Sequence, residues 1–314
     1  MDDYQIICQS AYDLRSITPF SQPGFFFNEP LHLQQQGRFH LLTAFNSCTR
    51  QTDARCAFFV QPTYALSPLA APFGSVEFTE NLPDQLLDAF IGSLLQEAQC
   101  LGAITLRLVH YPTCYAPVQT ERLTAKLLAH GFKITENHAT FFLRVGEHDF
   151  ERGLVSAERR RLRKAGRMGF RVAYQLHPNV DDVISFVQET RQRKGYSLTI
   201  APEQVRNLLR NYPDRYAVFA VMDGQTTAAL TITVRVRHDV LYSFLPASNP
   251  DYATYSPMVL LTDGLFRYCQ QQQIRLLDLG LSLDHNRQPK PSLMRFKRNL
   301  GAQESPKLVF ERLL

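Results

Sequence analysis

Apolar residues along the chain repeat with two periods, one typical of strands and one typical of amphipathic helices. The clearest helical period lies in the first half, where apolar residues recur every three or four positions from Pro83 to a terminating Gly102. The first half as a whole predicts two strands around a polar loop, a helix, a strand, a second helix that stops at a glycine, and a further strand: 39–45, 55–61, 82–102, 104–110, 118–130 and 139–145.

The second half repeats this order. Two of its strands flank Asp223-Gly224, a dipeptide typical of tight hairpin turns because both central turn residues need positive φ. Two helices, 180–193 and 202–212, have no counterpart in the first half. The repeated elements are three strands, a helix, a strand, a short helix ending in glycine, and a final strand: 216–222, 226–236, 240–245, 256–272, 274–280, 291–301 and 307–313.

A succession of strand, helix and strand predicts right-handed crossovers in a mixed sheet. The chain has 314 residues, which favours two domains. The segment 146–156 is polar and carries two glycines, so we place the boundary there and expect domains at 1–150 and 151–314.

The cysteines and the N-terminal residues indicate the state of the thiols and the cellular location of the protein. The six cysteines are scattered and match no zinc-binding spacing, so we expect free thiols and no metal site. The first ten residues have neither a basic nor an apolar signal region, and no apolar run is long enough to span a membrane. We therefore expect a cytoplasmic protein.

Positive charge is concentrated in two segments, although the net charge is only +5. Residues 151–175 hold eight Lys or Arg against two acids, and 287–298 hold five without an acid. Such local excess favours an anionic, phosphate-bearing partner. The motifs of α/β-hydrolases, zinc proteases, P-loop NTPases and dinucleotide-binding proteins are all missing.

Four segments in the second half carry a family resemblance: SAERRRLRKAGRMGFRV (156–172), ETRQRKGYS (189–197), YSPMVLLTDGLFRYCQQQQIRLLDLG (255–280) and LMRFKRNLGA (293–302). In this order they resemble the FemAB and BioF2-like group of tandem GNAT-fold acyltransferases. APFGSVEF (71–78) and the pattern of Pro112, Tyr115, Gly131 and Phe132 are similar to the group more loosely.

The resemblance implies an α/β (α+β) fold of two tandem GNAT-like domains, each a mixed sheet flanked by helices. It also implies transfer of an acyl or aminoacyl group to an amine of a small-molecule or phosphorylated acceptor held between the domains. We expect acyl-CoA as the donor in preference to aminoacyl-tRNA, because no long helical arm is present. The usual glycine-rich pyrophosphate loop is not found, and Ser256-Pro257-Met258 stands in its place.

Three residues are candidates for proton transfer. Asp278 closes a predicted strand, and α/β sheets place their sites at such ends. His285 lies on the following loop, where an imidazole with a pKa near neutrality would suit a base. Tyr242 lies on a strand and could present its hydroxyl to a cleft. The structural alternatives are a capping carboxylate, a polar turn and a core tyrosine, respectively.

Six further residues are candidates for substrate binding. Lys297 corresponds, by the resemblance, to the lysine of the family's FK block, which faces an acceptor phosphate or stabilises the tetrahedral intermediate; the structural alternative is a capping or surface lysine. Arg159 and Arg163 lie four apart on one basic helix stripe, which is either a phosphate site or a solvated face. Less specific candidates complete the set: Arg295, Tyr255 and Tyr115.

Two functions follow from these observations. The first is an N-acyltransferase, which the FK block and the aspartate at the strand end support. The second is a non-catalytic GNAT-fold protein that binds an anionic nucleotide, an acyl metabolite or RNA. The missing glycine-rich loop supports this second function.

Overall fold

The computed structural model describes residues 3–10, 17–175, 178–195, 200–284 and 286–314. The chain folds into two compact units: unit 1 is Met1–Ala139 with Ser305–Leu314, and unit 2 is Thr140–Glu304. The sequence suggests a single division of the chain, at residue 150. In the structure, the first segment of unit 1 ends at Ala139, and the C-terminal residues from Ser305 also belong to unit 1.

Unit 1 is a mixed sheet with helices. Its strands are β1 (Tyr4–Ser10), β2 (His40–Asn46), β3 (Gln51–Val60), β4 (Tyr64–Ser67), β5 (Glu77–Phe78), β6 (Thr105–Val109), the first part of β7 (Lys133–Arg144) and most of β13 (Gln303–Leu313). Its helices are α1 (Pro30–Gln36), α2 (Asp84–Cys100) and α3 (Pro117–Ala129). The strand order is β1-β2-β3-β4-β6-β13-β7, with β5 also paired to β3, and the pair β4/β6 is parallel.

Helix α2 shows why the sequence pattern is readable. It starts after Pro83 and carries Asp84 in its first turn, where a carboxylate complements the helix dipole. Its apolar residues form one stripe that is fully buried against the sheet: Leu86, Leu87, Phe90, Ile91, Leu94 and Ala98. Burial of each large apolar side chain contributes roughly 1.5–3 kcal/mol.

Unit 2 is built in the same way. Its strands are the last part of β7, β8 (Arg171–Gln175), β9 (Tyr216–Asp223), β10 (Thr226–Arg237), β11 (Val240–Ser248) and β12 (Leu276–Leu281). Its helices are α4 (Ser156–Arg167), α5 (Val180–Gln192), α6 (Pro202–Asn211), α7 (Pro257–Gln271) and α8 (Pro291–Asn299). The strand order is β7-β12-β11-β10-β9-β8, in which β11/β12 is the parallel pair.

The two units share one plan, because in each a helix connects the two parallel strands. The connections are β4–α2–β6 in unit 1 and β11–α7–β12 in unit 2. The prediction of mixed sheets flanked by helices is therefore confirmed.

Helices α4 and α7 cover one face of the unit 2 sheet. Leu241 of β11 and Leu277 of β12 belong to the core under these helices. Because strand side chains alternate between faces, the next residues, Tyr242 and Asp278, point to the opposite face. Helix α5 packs against β11, and its buried side chains lie outside that core.

The predicted hairpin exists, but its turn is displaced by one residue. Asp223 pairs with Thr226, so the two residues between the strands are Gly224 and Gln225. Gly224 has φ of 56°, whereas Gln225 is not in the positive-φ region. Asp223 thus ends a strand, because its backbone is extended and paired.

A buried ion network ties the segment before α1 to the unit 1 sheet. The Arg55 guanidinium pairs with Glu77 at 2.9 Å and with Glu29 at 3.2 Å. Glu77 also accepts hydrogen bonds from the Phe25 N–H at 2.7 Å and from Asn28 Nδ2 at 3.1 Å. Arg55 and Glu77 are 6% and 4% exposed, so both charges are shielded from water. Contacts with the protein stabilise them instead of hydration.

All six cysteines are free thiols. In the described ranges no group of His, Cys, Asp and Glu side chains is arranged to hold a metal ion. Within the same ranges, no helix combines the length and apolar character that membrane spanning requires.

Candidate functional site

The parallel pair β11/β12 opens after three residue pairs. Pairing runs from Val240 opposite Leu276 to Tyr242 opposite Asp278, although both strands continue further. Beyond this point each strand has a register irregularity against its other neighbour, at Phe244 and at Leu279. The opening places Tyr242 and Asp278 side by side at the last paired position.

Asp278 is buried, with 2% of its surface exposed. Its Oδ1 accepts hydrogen bonds from Thr140 Oγ1 at 3.1 Å and from the Gly280 N–H at 2.7 Å. Tyr242 is half-buried, and burial together with the nearby Asp278 charge raises its pKa. Tyr242 is therefore a neutral phenol at physiological pH and can donate a hydrogen bond.

Lys297 reaches this position from α8. It is 6% exposed, and its Nζ donates to the carbonyl oxygens of Gly280 at 2.9 Å and Leu281 at 2.7 Å. The ammonium also lies 5.4 Å from the centre of the Phe141 ring. Burial lowers its pKa to about 8, against the opposing effect of the Asp278 charge.

Gly280 shapes the site through its backbone. Its φ is 72°, a region that side chains disfavour, and a Cβ there would lie 3.0 Å from Tyr242 Cε2. The absence of a side chain thus lets the Tyr242 ring lie directly on the backbone of β12. The same residue donates to Asp278 and accepts from Lys297, so it links the two charged groups.

This arrangement suits acyl transfer chemistry. An ammonium has three N–H donors, and Lys297 uses two of them on carbonyl oxygens, which leaves one for a developing oxyanion. Asp278 supplies a carboxylate for proton transfer, and Tyr242 supplies a hydroxyl that makes no hydrogen bond in the described part of the chain. Just beyond β12, the buried Ser282 Oγ also lacks a partner among the described residues.

The remaining basic candidates are engaged elsewhere in unit 2. Arg159 donates to the carbonyl oxygens of Glu151 and Leu154, at 3.3 and 3.1 Å. Arg163 pairs with the Glu151 carboxylate at 2.6 Å. These contacts hold the start of α4, so the structure provides a local role for both arginines; a phosphate-binding role for them stays a prediction.

Tyr255 and Arg295 are also separate from the Asp278 position. The Tyr255 ring packs edge-on against Phe170 at 5.3 Å and under Lys164 at 4.8 Å, on the α4 side of the sheet. Arg295 is exposed on α8. On that helix the buried residue is Lys297, whereas its neighbour Phe296 is half-buried.

Tyr115 belongs to unit 1, where it is 1% exposed within an aromatic cluster with Phe25 and Phe73. His285 lies outside the described residues. Its neighbour Asp284 accepts hydrogen bonds from the N–H groups of Asn286 and Gln288, as a polar turn does.

The start of α7 is poorly suited to a diphosphate. The Ser256 N–H donates to the Ala253 carbonyl, the Val259 N–H donates to the Ser256 carbonyl, and Pro257 has no N–H. Three of the four backbone positions from 256 to 259 thus offer no free donor. Residues that would cradle the pyrophosphate of CoA in the usual manner are therefore not provided at this helix end.

Sequence reasoning missed several residues of this site. Gly280, Thr140 and Ser282 carried only weak signals, a strand-ending glycine and two ordinary hydroxyl residues. Arg191 lies in the family-like segment 189–197, but nothing in that segment indicates a role for it.

Comparison with known proteins agrees with this description. Residues 151–298 match the model of the acetyltransferase (GNAT) domain. No curated protein sequence matches the chain.

Solved structures match over most of the chain. FemX is 12% identical, with 93% of each chain covered and a TM-score of 0.71. The C-terminal domain of a putative lysylphosphatidylglycerol synthetase from Agrobacterium fabrum is 12% identical, with 89% of this chain and 85% of that chain covered and a TM-score of 0.59. A tandem GNAT protein from the clavulanic acid biosynthesis pathway is 12% identical, with 88% and 82% covered and a TM-score of 0.50.

The likeness to these structures is one of fold, and the match to the domain model covers most of unit 2, where the Asp278 position lies. The fold resemblance deduced from the sequence segments is confirmed. The chain thus has the fold of the FemAB-like tandem GNAT proteins, with an acetyltransferase (GNAT) domain over residues 151–298, which points to an acyltransferase.

Proposed function

We propose that the protein is an N-acyltransferase that moves an acyl or aminoacyl group from a thioester or charged carrier to an amine acceptor. The observation that carries this proposal is the buried Lys297, which has one unused N–H donor beside the Asp278 carboxylate at the opening of the parallel pair. Burial of an ammonium is costly, so a lysine with no function is expected at the surface. The burial of Lys297 therefore supports a functional role.

Each residue has a distinct part in the proposed reaction. The acceptor nitrogen attacks the acyl carbonyl carbon, and Lys297 donates to the oxygen that gains negative charge. The nitrogen loses one proton to Asp278, and the bond between the acyl carbon and its carrier then breaks as Asp278 returns that proton to the departing sulfur or oxygen and becomes a carboxylate again. Tyr242 orients the reacting group through its hydroxyl.

The identity of the acyl donor rests on fewer observations than the part played by each residue. The GNAT domain favours acyl-CoA, whereas the backbone N–H groups of Ser256 and Val259 are already bonded and Pro257 has none, which disfavours a diphosphate at the start of α7. Aminoacyl-tRNA is the second donor class, and its phosphates would be attracted by the positive charge of the two basic segments.

The donor class is tested by thermal unfolding of the purified protein with acetyl-CoA, longer acyl-CoAs and aminoacyl-tRNA. We expect one class to raise the melting temperature, because a ligand at a hundred times its Kd adds about 2.7 kcal/mol to the stability. Free CoA and uncharged tRNA are the controls that separate recognition of the carrier from recognition of the acyl group. If no donor stabilises the protein and none is consumed in the presence of amines, the non-catalytic binding function replaces this proposal.

The charge on Lys297 predicts a pH dependence. With its pKa lowered to about 8, Lys297 loses its charge as the pH rises through that value, so the ratio of wild-type to Lys297→Met transfer rates is expected to fall above pH about 8. Between pH about 8 and the ordinary lysine pKa of 10.5, the unfolded chain binds more protons than the folded one, so stability at this residue rises with pH. Initial rates at saturating substrate measure the ratio. A ratio that instead increases above pH 8 would identify the neutral amine as a base.

A further inference from the structure

Arg191 is the penultimate residue of α5, and its positive charge is partly withdrawn from water. Its side chain is half-buried, and Nε is shielded from solvent without a hydrogen-bond partner among the described residues. Across the same ranges the guanidinium forms no ion pair either. Burial lowers its pKa, which reflects the cost of keeping this charge out of water.

The arginine lies at the face of the sheet that carries the proposed chemistry. Helix α5 packs against β11, and Tyr242 of β11 lies near enough to the Arg191 guanidinium that ionisation of this phenol would raise the pKa of the arginine. Conversely, Arg191 opposes the rise in the pKa of Tyr242. Tyr242 in turn is opposite Asp278 in the parallel pair. Arg191 is thus electrostatically coupled to the group beside the proposed base.

The end of α5 is anchored so that this position is kept. Arg193, two residues further on, donates to Asn249 Oδ1 at 3.1 Å and to Asp251 Oδ1 at 2.6 Å. These contacts hold the C-terminal turn of α5 to the segment that precedes α7. The backbone position of Arg191 is thereby held, and the planar guanidinium offers a fork of N–H groups that suits a bidentate anion.

A partly desolvated guanidinium whose Nε has no partner among the described residues destabilises the protein that carries it. A ligand that supplies a carboxylate or a phosphate would remove this cost, and Arg binds both groups with two parallel hydrogen bonds. We propose that Arg191 binds a carboxylate or phosphate group on the amine acceptor, so that the enzyme selects anionic amines. The inference rests on the proposed function, and the acceptor is assigned because α5 packs against β11, the strand of Tyr242, while its buried side chains lie outside the core formed under α7.

The proposal is tested by ligand binding without turnover, with melting temperature as the readout at constant ionic strength. One pair of probes is O-phosphoethanolamine and ethanolamine, and the other is glycine and glycinamide. These pairs distinguish phosphate from carboxylate, because each differs only in the anionic group. The variants are Arg191→Met, Arg191→Lys and, as a charge-matched control, Arg171→Met, which changes an exposed arginine of β8.

We expect at least one anionic amine to stabilise the wild-type protein more than its uncharged partner does. Arg191→Met should weaken that binding about ten- to a hundredfold, Arg191→Lys less, and Arg171→Met not at all. Without ligand, Arg191→Met should melt at or above the wild-type temperature, since an unpaired charge is removed.

Three results would overturn the proposal. The first is that neither anionic probe shows a dependence on Arg191. The second is a ligand-free Arg191→Met variant that melts well below wild type, which would indicate a structural role. The third is loss of acetyl-CoA or aminoacyl-tRNA binding instead of amine binding, which would assign Arg191 to the donor. Because no step requires transfer, the outcome is independent of whether the acyltransferase proposal holds.

Discussion

Replacing Lys297 by methionine is expected to lower acyl transfer by about 10²–10³-fold, the effect of removing one oxyanion donor. Methionine keeps much of the length and apolar volume of the side chain, so the space between α8 and β12 stays filled. The carbonyl oxygens of Gly280 and Leu281 lose a partner, but the buried charge is lost with it. We therefore expect a melting temperature close to that of wild type.

Steady-state rates measure this effect, with circular dichroism and thermal unfolding as checks on folding. Lys133→Met is the matched control, because it removes a lysine charge from an exposed position of β7. It should leave the rate unchanged. Full activity in Lys297→Met would remove this residue from the reaction, and an equal loss in both variants would indicate a non-specific charge effect.

The largest expected effect on stability is in unit 1, at Arg55. Arg55→Met leaves the buried Glu77 carboxylate without its cation, and loss of one partner from a buried ion pair costs about 3–5 kcal/mol. Glu77 keeps its hydrogen bonds from Phe25 and Asn28, which limit the loss. Urea unfolding should show the decrease as a lower midpoint.

A surface pair of the same unit is the control for Arg55. Lys126 pairs with Asp88 at 2.5 Å, but both side chains are partly exposed, so Lys126→Met should cost less than about 1 kcal/mol. If Arg55→Met costs no more than Lys126→Met, the buried network contributes little to the stability of unit 1. The double variant Arg55→Met with Glu77→Gln should recover part of the loss, because the pair then carries no buried charge while the amide oxygen of the new side chain can still accept from Phe25 and Asn28.

The order of the elements could be predicted because each signal is local. The stripe of α2 and the glycines that end α3 and α8 are visible within a few residues of sequence, and all three helices are found. Strand β1 was missed, since its alternation is short and partly exposed, and so was α1, which has only two buried residues.

The site was predicted in part for the same reason. Asp278, Tyr242 and Lys297 were candidates from strand ends and from the family resemblance, and the structure brings these three together. Arg159 and Arg163 share a helix stripe as expected, yet their partners are Glu151 and Leu154, just before the helix. A stripe of charges reports only which residues share a face, and many different contacts can satisfy such a face.

By itself, the sequence determined the alternation of strands and helices, the duplicated plan and the concentration of candidate residues in the second half, because periodicity and turn residues act over short distances. Only the tertiary structure decided that the C-terminal strand joins unit 1, that Lys297 is buried while Phe296 is half-buried, and that Arg191 Nε is shielded from solvent without a partner among the described residues. The physical reason is that burial and pairing of a charge depend on what a second element places opposite it. For Lys297 those partners are carbonyl groups 16 and 17 residues earlier in the chain.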